Sequence, residues 1–171
     1  WDIQASYHPD KYIAISHEIY NRIIKYYRRV PDTIIHCPVN YSKYVPDNKV
    51  VKENYFYTIS RMVPYKKIDL IVKTFTMSEL KNEKLIVAGS GQELGRIKAI
   101  AKGHKNITIL GHDKNKVELM QKAKAFIFAP HEDFGIVPVE AQAAGTPVIA
   151  YGKGGALDTV IEGETGEFFY E

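Results

Sequence analysis

The stretch HEDFGIVPVEAQAAGTPVIAYGKGG, residues His131 to Gly155, decides the fold. Pro138 suits the first position of a helix, where a missing N–H costs nothing. Gly145 suits the left-handed position just past a helix end, and Pro147 follows it. The spacing predicts a helix over Pro138–Ala144, a buried strand over Pro147–Tyr151 and a Gly-rich loop over Gly152–Gly155. Val137 then falls at the N-cap, and the amides of Gly135, Ile136 and Val137 project from the helix start. Such amides, with about half a positive charge from the helix dipole, form an anion site. Gly135 lets a ligand come close to the backbone. Two carboxylates, Glu132 and Glu140, stand eight positions apart in the same stretch. Together these features suit an anion and a polyhydroxylated ring at the end of a parallel sheet.

Outward from this stretch, strands and helices alternate from Asn54 on. Strands are expected at Tyr55–Ser60, Lys84–Ala88, Asn106–Leu110, Ala125–Phe128 and Glu167–Tyr170. Helices are expected at Lys67–Thr76, Gln92–Lys102, Lys114–Lys122 and Ala156–Ile161. The strands are near-continuous apolar runs such as LIVA, AFIF and VIAY. That pattern implies an α/β fold with a parallel sheet covered on both faces. Right-handed crossovers make it doubly wound and Rossmann-like. Ligands then bind beyond the carboxyl ends of the strands. Residues 1 to about 45 differ in character, with a strand at Tyr12–Ile15, a helix capped by Ser16 and a strand at Thr33–His36. Ile19, Ile23, Tyr26, Tyr27 and Val30 form that helix's apolar stripe. Pro38–Asn48 reads as a turn-rich connector.

Composition narrows the function classes. The 171 residues carry a net charge of +3, too weak a balance to argue for nucleic acid. No apolar run approaches the roughly 18 residues of a membrane span, and no signal peptide is evident. The start at Trp1, without Met, is expected to reflect a processed or trimmed chain. Cys37 is the single cysteine, so no intrachain disulfide forms and a cytoplasmic location is expected. The basic and aromatic run NRIIKYYRRV, Asn21 to Val30, admits contact with the inner face of a membrane. An amphipathic helix with a solvated basic face is the preferred reading of that run.

Several residues carry candidate chemistry. Glu140, expected in the first helical turn, can accept two hydrogen bonds from a vicinal diol such as a ribose. Its plainer role is to complement the helix dipole or to cap. Glu132 follows a buried strand and is placed to meet a sugar hydroxyl. A metal role for His131, Glu132 and Asp133 is weak, because adjacent side chains do not all converge on one ion. Arg61 and Lys66 flank a turn at a strand's carboxyl end, where they can clamp a diphosphate or remain solvated. Lys67 is read as solvated. Gly89 and Gly91 suggest close approach to a phosphate, but Leu94 stands where a dinucleotide fingerprint needs its third Gly.

Taken together, these residues resemble the C-terminal, donor-binding half of a retaining glycosyltransferase of family 4, with the GT-B fold. Glu132 and Glu140 match that family's E-x7-E motif, and Arg61 and Lys66 match its phosphate pair. Gly154-Gly155, Asp158 and Val160, followed by Glu162 to Gly166, match its C-terminal signature, with Asp158 where Glu is commoner. The wording is closest to bacterial and archaeal mannosyltransferases that use GDP-mannose. The resemblance implies that Arg61 and Lys66 neutralise the diphosphate and Glu140 holds the ribose. It implies that Glu132 contacts the transferred sugar, and that the backbone of Phe134, Gly135, Ile136 and Val137 binds sugar and phosphate. Leu110 and Gly111 would meet the base through main chain, and no metal or other cofactor is expected. A glycan or lipid-linked acceptor is implied, with electrostatic stabilisation of the leaving diphosphate. Residues 1–35 are expected to be the end of the N-terminal acceptor domain. Residues 36–171 are expected to be the donor-binding domain without its C-terminal helix, so that the chain alone transfers poorly. A UDP-sugar enzyme of the same fold and a non-catalytic nucleotide-binding module are the alternatives.

Overall fold

The computed structural model describes residues 2–46, 50–112 and 115–170. The expected connector end at Asn48, the loop residue Asp113 and the helix start at Lys114 lie outside the described residues. The chain opens with α1 (Asp2–Ala5), β1 (Ile13–Ala14), α2 (His17–Tyr27) and β2 (Thr33–Ile34), and β1 and β2 pair in parallel. A 3-10 turn at Tyr41–Tyr44 leads into the larger unit. There the order is β3 (Tyr55–Ile59), α3 (Ile68–Phe75), β4 (Lys84–Ala88), α4 (Leu94–Ala101), β5 (Ile107–Gly111) and α5 (Lys116–Lys122). It continues with β6 (Ala125–Phe128), α6 (Ile136–Ala143), β7 (Val148–Tyr151), α7 (Ala156–Thr159) and β8 (Gly166–Phe169).

The six larger strands form one sheet in the order β5-β4-β3-β6-β7-β8, with every pairing parallel. Alternate residues of each strand point to opposite faces, so a two-sided sheet needs apolar side chains at nearly every position. Leu85 and Val87 pack with Met62, Ile71, Val72, Phe75 and Ile97 under α3 and α4. Ala88 and Tyr57 face the other way and pack with Met120, Phe126, Ala141, Val148 and Ala156 under α5, α6 and α7. The rings of Tyr57 and Phe126, both 0% exposed, meet edge to face with centroids 6.1 Å apart. The doubly wound parallel sheet expected from the apolar runs is thus present. Strand order reverses between β3 and β6, and the carboxyl ends on either side of that reversal open a crevice.

The N-terminal unit differs in one respect from its reading. Ser16 does cap α2, its hydroxyl accepting the Ile19 amide at 3.1 Å. Arg28 then takes a left-handed conformation and stops the helix at Tyr27. Of the proposed apolar stripe only Ile23 is buried; Tyr26 and Val30 are exposed. Among the described residues no helix is long and apolar enough to cross a membrane.

Candidate functional site

The crevice at the strand-order reversal is a cavity of about 650 Å³, lined by Ser60, Tyr65, Lys66, Phe128, Glu132 and Gly135 among others. The loop after β3 supplies Lys66 and the loop after β6 supplies Glu132. Their side chains form an ion pair across the crevice, with the lysine 16% and the carboxylate 20% exposed. Two residues singled out separately in sequence therefore meet at one point. Glycines set the position of Glu132. The Gly155 amide donates to the Glu132 carbonyl at 2.7 Å, and a Cβ at Gly155 would overlap Phe134 and the Asp133 carbonyl. The Gly-rich loop after β7 thus acts as the bed on which the Glu132 loop rests.

The start of α6 is shifted from its expected place. Gly135 is the N-cap, with φ 85° and ψ 73°, and the helix begins at Ile136. Pro138 becomes the third helical residue, whose amide would lack an intrahelical partner anyway, so the ring is tolerated there as well as at the first position. The amides of Gly135, Ile136 and Val137 remain the unpaired ones at the helix start, and all three residues line the cavity. The C-terminus follows the reading: Gly145 has φ 74°, its amide meets the Gln142 carbonyl, and the Thr146 amide meets the Ala141 carbonyl at 3.0 Å.

The shift moves Glu140 into the second turn, where it neither caps nor complements the dipole. Its carboxylate lies outside the lining of the cavity and is held from the side. The Tyr44 hydroxyl donates to Oε1 at 2.7 Å, and Lys116 pairs with Oε2. Burial raises the Tyr44 hydroxyl above its ordinary pKa, and the hydrogen bond to Glu140 adds to this. For Lys116, burial alone would lower the pKa, but the hydrogen bonds to Glu140 and Tyr44 outweigh it and the ammonium is raised.

The remaining candidates divide. Arg61 is exposed, and its guanidinium donates to the Tyr65 hydroxyl at 3.3 Å. Lys66 Nζ sits 5.0 Å from the centroid of the same ring, so Tyr65 lies between the two cations. The Arg61 hydrogen bond, followed by the charge of Lys66, lowers the Tyr65 pKa. Gly89 and Gly91 do permit close approach, but to protein: a Cβ on either would overlap the backbone of Ser60 or Met62. The Met62 amide donates to the Ser90 carbonyl at 2.8 Å, which extends the β3–β4 ladder into the loops. Gly111 ends the edge strand β5 beside Gly89, and Leu110 is half exposed. His131, Glu132 and Asp133 go to three different partners, Glu18, Lys66 and Arg22.

Sequence reasoning passed over Tyr44, Tyr65 and Lys116, and it missed how α2 touches this loop. Arg22 pairs with Asp133, Glu18 lies 3.2 Å from His131, and the ring of His36 stacks on Phe134 at 5.4 Å. Asp158, 6% exposed, accepts the His17 amide at 3.0 Å and so caps the first turn of α2. The departure at Asp158 thus has a structural role. Tyr65 stands between Arg61 and Lys66 and could have been found there; Tyr44 and Lys116 carried no motif.

Residues 43–171 match the sequence family described as glycosyl transferases group 1. The chain belongs to that family. The capsular polysaccharide biosynthesis glycosyltransferase CapM of Staphylococcus aureus is 30% identical over 144 residues, 75% of this chain and 38% of that protein. A GDP-mannose-dependent monoacylated alpha-(1-6)-phosphatidylinositol monomannoside mannosyltransferase of Corynebacterium glutamicum is 33% identical over 114 residues, 59% of this chain and 30% of that protein. Among solved structures, the pneumococcal O-GlcNAc transferase GtfA, in complex with UDP and GlcNAc, superposes with a TM-score of 0.79 at 21% identity. That likeness covers 99% of this chain and 36% of GtfA, so the fold is that of GT-B glycosyltransferases. This family member spans between 30% and 38% of the length of these three relatives.

Proposed function

We propose that this chain is the nucleotide-sugar-binding part of a retaining glycosyltransferase that transfers a hexose, mannose from GDP-mannose, to a glycan or lipid-linked acceptor. The observation that carries the reading is the Lys66–Glu132 pair at the crevice where the amides of Gly135–Val137 also emerge. A diphosphate arriving there finds an ammonium and an uncompensated helix start, both suited to an anion. It competes with Glu132 for Lys66, and the carboxylate so released is free to accept a sugar hydroxyl. Charge that builds on the leaving diphosphate is met by groups already in place, with no reorganisation at the moment of reaction. Arg61 adds charge from the rim, beyond Tyr65. Glu140 holds the ribose hydroxyls, and the end of β5 at Leu110 and Gly111 meets the base through main chain. The acceptor and the opposing wall belong to the N-terminal part of such an enzyme.

The GDP-mannose dependence of the Corynebacterium relative supports mannose from GDP-mannose. The UDP in pneumococcal GtfA supports the rival, a UDP-sugar donor. Calorimetric titration of the chain with GDP, UDP and ADP separates them. Weak but measurable binding of GDP, tighter than that of UDP or ADP, is expected. Tighter binding of UDP would select the rival, and failure of all three in a folded sample would overturn the donor site.

A further inference from the structure

Three separate segments converge on the Glu140 carboxylate. Tyr44 ends the 3-10 turn before β3, Lys116 opens α5 and Glu140 lies in α6. Tyr44 is 7% exposed, and the Glu140 side chain is 15% exposed. Lys116 Nζ also lies 5.4 Å from the centroid of the Tyr44 ring, so the two partners brace each other as well as the carboxylate. The Tyr44 turn is itself tied down: Gln121 donates to the Val45 carbonyl at 2.8 Å. Each Glu140 oxygen thus accepts one protein hydrogen bond. A carboxylate oxygen has two lone-pair sites, so one remains on each oxygen for a pair of vicinal hydroxyls.

We propose that Tyr44 and Lys116 are positioning residues that fix Glu140 to select a nucleotide with an intact ribose diol. This rests on the reading of Glu140 as the ribose ligand. The directions of the Tyr44 and Lys116 pKa values fit it, since both keep their protons and remain hydrogen-bond donors well above neutral pH. A carboxylate turned out of place by a flexible neighbour would lose the two-point geometry that a diol needs, while diphosphate binding at Lys66 would be untouched.

The test is the ratio of affinities for a nucleoside diphosphate and its 2′,3′-dideoxy analogue, using whichever of GDP and UDP binds. It is measured by calorimetry on the wild type, Glu140→Gln, Lys116→Ala, Lys116→Arg and Tyr44→Phe, with melting temperatures alongside. The wild type is expected to favour the ribonucleotide, and Glu140→Gln to abolish most of that preference. Lys116→Ala and Tyr44→Phe are each expected to reduce it by roughly 2–10-fold, and Lys116→Arg to restore part of it. A purely structural role would lower the melting temperature and weaken both nucleotides equally, which would overturn the proposal. Retention of the full preference in Lys116→Ala and Tyr44→Phe, with its collapse in Glu140→Gln, would overturn it too while sparing the ribose reading. If Glu140→Gln keeps the preference, the ribose reading itself fails, and the proposal with it. Tyr44→Phe keeps the buried ring, so it decides the matter should Lys116→Ala not fold.

Discussion

Replacing Lys66 by Ala is expected to weaken binding of a nucleoside diphosphate by roughly 10–100-fold and to leave binding of the nucleoside unchanged. A charge-assisted hydrogen bond contributes about 1.5–3 kcal/mol, and each 1.4 kcal/mol is about tenfold in affinity. The lower half of that range is favoured here, because the diphosphate must first draw Lys66 away from Glu132. Loss of Lys66 also leaves Glu132 without its ion-pair partner at 20% exposure, so a small drop in melting temperature accompanies the change. Paired calorimetric titrations with GDP and guanosine separate the two effects. Equal weakening of both would show that Lys66 acts on the fold and not on the phosphates.

Replacing Glu140 by Ala is expected to weaken nucleotide binding at least about tenfold, through loss of two charge-assisted bonds to the ribose. The carboxylate also anchors Tyr44 and Lys116, so Glu140→Ala costs stability as well. Leaving a partly buried ammonium unpaired costs about 1–3 kcal/mol, or roughly 2–4 °C in melting temperature per kcal/mol for a chain of this size. Glu140→Gln keeps an acceptor for Tyr44 and is expected to melt closer to the wild type while still binding poorly. Unchanged nucleotide affinity in both variants would remove Glu140 from the site.

Much of the fold was legible because burial leaves a plain mark on a strand. Lys84–Ala88 and Ala125–Phe128 were read to the residue, since LIVA and AFIF are apolar runs that suit a sheet interior. The start of α6 was misplaced by two residues because Pro is tolerated through the first turn, and the left-handed Gly135 that opens the helix gives no separate signal. Gly89 and Gly91 were read as sites where a phosphate comes close to the backbone. What approaches them, the backbone of Ser60 and Met62, belongs to the loop after β3 and is not written in the local sequence. The partners of Glu140 were hidden by distance along the chain: Tyr44 lies 96 positions away and Lys116 lies 24. The pairing of Lys66 with Glu132, 66 positions apart, followed only once strand order had placed β3 beside β6.

The donor site is tested most directly by a crystal structure of the chain with a nucleotide sugar bound, GDP-mannose first and a UDP-sugar second. The expected result is a diphosphate between Lys66 and the amides of Gly135–Val137, ribose hydroxyls on Glu140, and the Lys66–Glu132 pair opened toward the sugar. A nucleotide bound elsewhere, with Lys66 still paired to Glu132 and the crevice between β3 and β6 unfilled, would contradict it.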